Sequence, residues 1–291
     1  MSTIKIGDIV ARKSHGMDIL FKVEDLIENE GKPVALLRGI DLRLYADAPL
    51  SDLEKKTPSE ISAYRQNFLK QNSEMMRRIF QRRLIDRENF LLRGKSTKKQ
   101  IEVEHFELPG SVLHLDGDKE YLDLCMTTYS QLSIKASGFY VPETKQPEEV
   151  LKYLVEYTPD ILVMTGHDGL IKNKQDFSDI NNYRHSKHFV QAVRKAREYE
   201  PGRDDLIIFA GACQSHYEAL IEAGANFASS PQRVLIHAFD PVFIVEKIAY
   251  SSINEVVSLK DILNNTITGI EGVGGIESRG RFRMGYPKSP Y

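Results

Sequence analysis

What the chain has little of narrows its class. Its 291 residues include only two cysteines, Cys125 and Cys213, too few for a disulfide framework in a chain of this length. No N-terminal apolar run resembles a signal peptide, and the two absences together predict an intracellular, reducing compartment. No stretch approaches the roughly 18 apolar residues that a membrane-spanning helix needs, so no membrane partner is expected. Net charge is nearly missing, at -2, and with 41% hydrophobic and 27% charged residues the chain is neither collagen-like, nor disordered, nor one long coiled coil. There is no internal repeat. A Gly-rich phosphate loop is also lacking: the turn in which one would fall reads D-G-D-K-E (116–120), which argues against a Rossmann-type nucleotide enzyme.

The near-zero net charge conceals an uneven distribution. Residues 61–99 carry eleven Lys or Arg against three acids, a local excess of eight, so the remainder carries about ten negative charges. Such blocks mark modules, and three are expected: 1–55, 56–105 and 106–291. In the first, I-K-I-G-D-I-V-A-R-K, D-I-L-F-K-V-E-D-L-I, P-V-A-L-L-R-G-I and D-L-R-L-Y-A read as short strands divided by His15-Gly16 and Asn29-Glu30-Gly31, a pattern that suits a small SH3-like β-barrel. In the second, Ile61, Tyr64, Phe68, Met75, Met76, Ile79, Phe80 and Leu84 recur at spacings of three and four, predicting a basic amphipathic helix over 59–92. R-G-K-S-T-K-K (93–99) follows as an exposed linker. The basic face reads as solvated or as a protein contact, since aromatic residues are not interleaved for stacking on bases, and nucleic acid is not the expected partner.

From about residue 106 strands alternate with helices, the signature of a doubly wound, mostly parallel α/β sheet. Strands are expected at 111–116, 136–141, 160–165, 205–210 and 233–238. Helices are expected at 119–133, from 146, at 183–199 and at 216–223, with no clear element in the last twenty residues. In such a sheet the functional crevice lies beyond the carboxyl ends of the strands. There the sequence places T-G-H-D-G (165–169), A-G-A-C-Q-S-H (210–216), Asp116-Gly117-Asp118 and Phe239-Asp240-Pro241. A nucleophilic cysteine needs a stabilised thiolate and a nearby base, which makes Cys213 and His167 the candidate pair, with Cys213 just ahead of a helix N-terminus. The competing reading of Cys213 is a small core residue, the reading that applies to Cys125 in an apolar helix face. His185, His188 and His216 have no carboxylate at a recognised ligand spacing, so neither metal nor cofactor is expected. Asp116 and Asp118 have a competing reading as a metal or phosphate site.

A hydrophobic strand ending in a histidine near glycine, followed by a second ending in Ala-Cys, resembles the caspase, gingipain and legumain clan of cysteine peptidases. The separation of His167 from Cys213 is close to the roughly 50 residues usual in caspases. D-I-L-V-M-T-G-H-D-G, Y-R-H-S-K-H-F-V (183–190), F-A-G-A-C-Q-S-H (209–216), A-G-A-N-F-A-S-S-P (223–231), V-L-H-L-D-G-D (112–118) and the N-terminal I-G-D-I-V-A-R-K-S are similar to the YabG family of sporulation-specific proteases. The resemblance implies a caspase-like fold, Cys213 as nucleophile and His167 as general acid and base. It implies an oxyanion site at the Cys213 N–H and a second N–H beside His167, where Asp168 stands between His167 and Gly169. Asp168 is a candidate to orient His167 or to face a basic substrate residue. The family processes spore coat and related sporulation proteins in the mother cell, cutting mainly after arginine. Asp116, Asp118, Asp240 and Glu277 are candidates for the arginine pocket, and the basic linker is a candidate for self-cleavage. The alternative from another class is a regulatory nucleic-acid-binding protein whose doubly wound domain senses a ligand.

Overall fold

The computed structural model describes residues 4–29, 31–93, 106–172, 174–286 and 288–289. They fall into two compact units that divide within one helix, at Ser73/Glu74.

The first unit is an antiparallel sheet of five strands: β1 (Ile9–Arg12), β2 (Leu20–Asn29), β3 (Lys32–Gly39), β4 (Tyr45–Pro49) and β5 (Leu53–Lys55), in the order β4-β3-β2-β1-β5. Val10, Phe21, Val23, Ala35, Leu37, Ala48 and Leu53 make its core. A register shift between Val23 and Asp25 bends β2 where it leaves that core. The run expected as a strand at 41–46 pairs only from Tyr45, and β5 is a strand that the sequence pattern had not marked. Helix α1 (Pro58–Arg93) starts in this unit with a reciprocal cap: the Thr57 hydroxyl accepts from the Glu60 N–H, while the Glu60 carboxylate accepts from the Thr57 N–H at 2.8 Å. The Thr57 hydroxyl also donates to the Glu60 carboxylate at 2.7 Å, and this bond together with that from the Thr57 N–H holds the Glu60 carboxyl at about 2.

The second unit is α/β. Its elements are β6 (Phe106–Leu108), β7 (Val112–Asp116), α2 (Lys119–Gln131), β8 (Ala136–Tyr140), α3 (Gln146–Tyr157), β9 (Ile161–Thr165), α4 (Ser186–Tyr199), β10 (Ile207–Ala210), α5 (Tyr217–Ala223), β11 (Phe227–Ala228), α6 (Asp240–Ala249), β12 (Val256–Val257), α7 (Leu259–Leu263), β13 (Gly274–Gly275), β14 (Ser278–Arg279) and β15 (Arg283–Gly285). The central sheet runs β13-β11-β10-β9-β7-β8 and is parallel except for β13. Every residue of β7, β9 and β10 is buried, as expected of strands covered on both faces. Leu113, Leu115, Leu162, Met164 and Ile208 pack with Val150 and Leu154 of α3, Phe189 and Val193 of α4 and Leu220 of α5. Helix α2 packs on β7 and β8 and against α6, and Cys125 is a fully buried packing residue within it. After β8 the chain returns to the far side of β7, so the topological switch point falls between β7 and β9.

The run R-V-L-I-H-A (233–238), expected as the fifth strand, is not one. The strand beside β10 is the two-residue β11, and the hydrophobic run after it turns across the carboxyl edge. Its backbone groups are committed elsewhere: the Ile236 N–H points to the Cys213 sulfur and the His237 N–H to the Thr268 hydroxyl and Asp240. The C-terminal stretch, expected to lack elements, supplies three short strands, one of which closes the sheet.

The second half of α1 belongs to this unit, and its basic residues are not simply solvated. Arg82 and Arg83 both pair with the fully buried Glu246 of α6, Arg83 through its Nε at 2.7 Å. Arg83 also donates to the Leu132 carbonyl at 2.9 Å and lies over the Tyr250 ring. The basic linker expected at 93–99 lies, from residue 94, outside the described residues. Among the described residues no helix is long and apolar enough to cross a membrane.

Candidate active site

Three loops leave the carboxyl ends of β7, β9 and β10 side by side. Asp116 pairs with Thr165 and Met164 with Ala210, so Asp118 and His167 each stand two residues past a matched pair, and His167 and Cys213 three past another. Parallel register therefore starts the three loops at one edge of the sheet, around the switch point.

Asp118 has two tasks. Its Oδ1 accepts from the Glu120 and Tyr121 N–H groups at 2.9 and 3.0 Å and caps α2. Its Oδ2 meets His167 Nε2 at 2.9 Å, and the Tyr121 ring rests tilted against the imidazole, 5.7 Å between centroids. A carboxylate beside Nε2 holds the proton there and leaves Nδ1 as the basic nitrogen, a tautomer set by geometry. Behind Asp118, Asp116 Oδ1 accepts the Asp118 N–H and Oδ2 accepts the Thr165 hydroxyl. The same hydroxyl lies 2.7 Å from His114 Nε2, whose other nitrogen faces the Tyr129 hydroxyl at 3.3 Å. The candidate pocket residue Asp116 is thus fully buried within a polar chain that supports Asp118.

Cys213 lies in the turn between β10 and α5. Gly211 has φ +107°, and a Cβ there would press on Leu220 and Ser229, so only glycine suits the start of the turn. Gln214 takes φ +57°, a left-handed conformation just after the cysteine. Three residues, Gln214 to His216, separate Cys213 from α5, and the His216 ring caps that short helix, so the dipole expected at the thiol is set off from it. The cysteine is 1% exposed, and its sulfur accepts from the Ile236 N–H at 3.3 Å.

The remaining expected residues have other placements. Asp168 turns away from the imidazole: Oδ1 accepts from the Gly169 and His185 N–H groups, and Oδ2 from the Ser186 and Ser215 hydroxyls. The Gly169 N–H, expected at the oxyanion, is spent on that carboxylate. Asp240 is fully buried and accepts from His237, Ile267 and Thr268, and burial pushes its carboxyl up to about 6. Glu277 is exposed, and the antiparallel run of β13 carries it to the opposite, amino-terminal end of the sheet. Among the described residues no three His, Cys, Asp or Glu side chains group as metal ligands.

Glu143, three residues past β8 at the same edge, had not been singled out. Its Oε1 accepts the His167 N–H at 2.7 Å, and its carboxylate lies where Cβ atoms at Gly117 and Gly166 would collide with it. The signal was present, since the crevice rule that selected the ends of the other strands applies equally to V-P-E-T (141–144) after β8.

The family model described as YabG peptidase U57 matches residues 5–287. The sporulation-specific protease YabG of Bacillus subtilis (strain 168) is 43% identical over 296 residues, covering 97% of this chain and 98% of that protein. The crystal structure of a response regulator, RPA3017, from red light signaling in R. palustris aligns with 40% of this chain and 78% of its own at 19% identity and a TM-score of 0.25, a likeness on which nothing here rests.

Proposed function

The chain belongs to the YabG (U57) peptidase family, and on that premise we propose that it is a cysteine endopeptidase in which Cys213 is the nucleophile and His167 the general acid and base. The observation that carries this reading is the Asp118–His167 hydrogen bond on loops level with Cys213 in the sheet. A carboxylate that fixes a histidine tautomer beside a strand-end cysteine is the arrangement nucleophilic acyl transfer calls for. The parallel strands read as a caspase-like doubly wound domain, and the five-stranded first unit as an SH3-like barrel.

In this mechanism His167 Nδ1 takes the thiol proton and the Cys213 thiolate attacks the scissile carbonyl carbon. The oxyanion is held by the Cys213 N–H. As the C–N bond breaks, His167 passes its proton to the leaving amine, and the acyl group remains on sulfur as a thioester. Water then attacks, His167 accepts its proton, the C–S bond breaks and the thiol is restored as the carboxylic acid leaves. Because Ile236 covers the sulfur, an entering peptide must displace that residue.

A preference for arginine at the cleaved bond is favoured by the acids at this edge. Asp116, Asp118, Glu143, Asp168 and Asp240 create a negative field that draws a guanidinium toward the crevice. The substrates in this reading are spore coat and other sporulation proteins of the mother cell, together with the chain itself. Arg82 and Arg83 are engaged with Glu246 and do not serve as self-cleavage sites. The test is cleavage of an arginine-containing coat protein or peptide by the purified chain and by Cys213→Ala. The variant is expected to stay folded and lose cleavage, and retained cleavage overturns the assignment.

A further inference from the structure

Two loops carry the proposed catalytic pair, and beyond the ends of β9 and β10 something must hold them in register. We propose that Asp168 is a positioning residue that ties the histidine loop, the cysteine turn and the start of α4 into one rigid frame, and so fixes where the Cys213 sulfur sits relative to His167. The proposal rests on the Cys213/His167 reading.

The bonds form a closed set. On one oxygen, Asp168 Oδ1 accepts from its own loop at Gly169 N (2.9 Å) and from the approach to α4 at His185 N (2.8 Å). On the other, Oδ2 accepts from Ser186 Oγ (2.5 Å) and Ser215 Oγ (2.9 Å). Both hydroxyls then reach into the cysteine turn. Ser215 Oγ accepts from the Ala212 N–H at 2.9 Å, and Ser186 Oγ accepts from the His216 N–H at 2.8 Å. Ala212 and His216 bracket Cys213, so the turn is suspended at both ends from a carboxylate adjacent in sequence to the histidine.

Ser186 and Ser215 are fully buried, so a hydroxyl there that loses its carboxylate partner is costly to leave unpaired. Burial pushes the Asp168 carboxyl up, against the pull of the hydrogen bonds from Ser186, His185, Ser215 and Gly169. None of these donors belongs to the imidazole, so Asp168 acts through the backbone of both loops and not by contact with the reacting atoms.

The experiment compares the full-length wild type with Asp168→Asn, Ser215→Ala and Ser215→Thr. Each is assayed for cleavage of an arginine peptide, for thermal unfolding, and for the pH dependence of Cys213 alkylation by iodoacetamide, read by mass spectrometry. Misplacing a nucleophile by about 1 Å costs about 100-fold, so Asp168→Asn and Ser215→Ala are expected to lower kcat by about that factor with KM little changed. Their alkylation midpoint departs from that of wild type, because the sulfur no longer sits where the frame holds it relative to His167. Ser215→Thr keeps the hydroxyl and recovers both properties. Wild-type kcat and alkylation profiles in folded Asp168→Asn and Ser215→Ala overturn the proposal, as does a loss of kcat that only tracks unfolding. Alkylation is read without any turnover. Retained cleavage by Cys213→Ala would therefore refute the cysteine mechanism while leaving the tethering of the turn to be judged from the profile.

Discussion

The replacement Asp118→Asn separates the two tasks of one carboxylate. The Asn carbonyl oxygen keeps the bonds to the Glu120 and Tyr121 N–H groups that Oδ1 now accepts, and Asn is as good an N-cap as Asp. The amide NH2 then faces His167 Nε2 in place of Oδ2, 2.9 Å away. Two donors cannot face each other, so the imidazole moves its proton to Nδ1, and the nitrogen that should take the thiol proton is blocked. A wrong tautomer in a histidine-dependent acyl transfer costs about 10^4 in kcat, and a loss of about 10^3- to 10^4-fold is expected here with KM little changed. Stability should fall by less than about 1 kcal/mol because the cap survives, whereas Asp118→Ala loses about 1 kcal/mol as well as activity. The assay is steady-state cleavage of an arginine peptide alongside urea unfolding of the same samples. Asp118→Asn protein that is folded and within about tenfold of wild-type kcat would refute the reasoning, since general base catalysis alone is worth about 10^2- to 10^4-fold.

Two further outcomes follow from buried charges. Glu246→Ala removes the fully buried carboxylate that Arg82 and Arg83 share, while Asn265 and the Leu132 carbonyl keep one bond to each guanidinium, so the loss in urea unfolding should be about 1.5–3 kcal/mol; a loss below about 0.5 kcal/mol would show that the contact is not a stabilising one. Asp240 has a folded-state value raised by burial to about 6 from an ordinary 3.8, so the native protein binds the extra proton between those pH values. Its contribution to stability therefore falls as pH rises from about 4 to about 6 and stays low above that, by on the order of 3 kcal/mol. The stability difference between wild type and Asp240→Asn should change across this window and be flat above it, and a difference constant from pH 4 to 7 would refute the shift.

The sequence reveals most where local pattern and tertiary need agree. β7, β9 and β10 are continuous apolar runs because both of their faces are covered, and they were legible to within a residue or two. The same rule failed at 233–238, where Ile236, His237 and Ala238 are buried at the sheet edge beside Cys213 and Arg233, Val234 and Leu235 are only half-buried. Hydrophobicity reports burial there and not pairing. Among the acids at the crevice, residue type and position could not separate roles. Asp116, Asp118, Asp168 and Asp240 all read as pocket carboxylates, yet their partners are respectively a threonine hydroxyl, an imidazole, two serine hydroxyls and a set of backbone N–H groups.

By itself, then, the sequence determined the class of the fold, the sheet edge at which the candidate residues gather and His167 and Cys213 as a candidate pair. Strand periodicity and the parallel crossover rule are local or nearly so, and they are written in runs of five to fifteen residues. Only the tertiary structure decided that Asp118 holds the histidine, that Asp168 holds the loops and that Glu277 stands at the far end. A hydrogen bond is a matter of a few tenths of an ångström between groups that here lie up to 49 residues apart in the chain, and no pattern of residue types carries that distance.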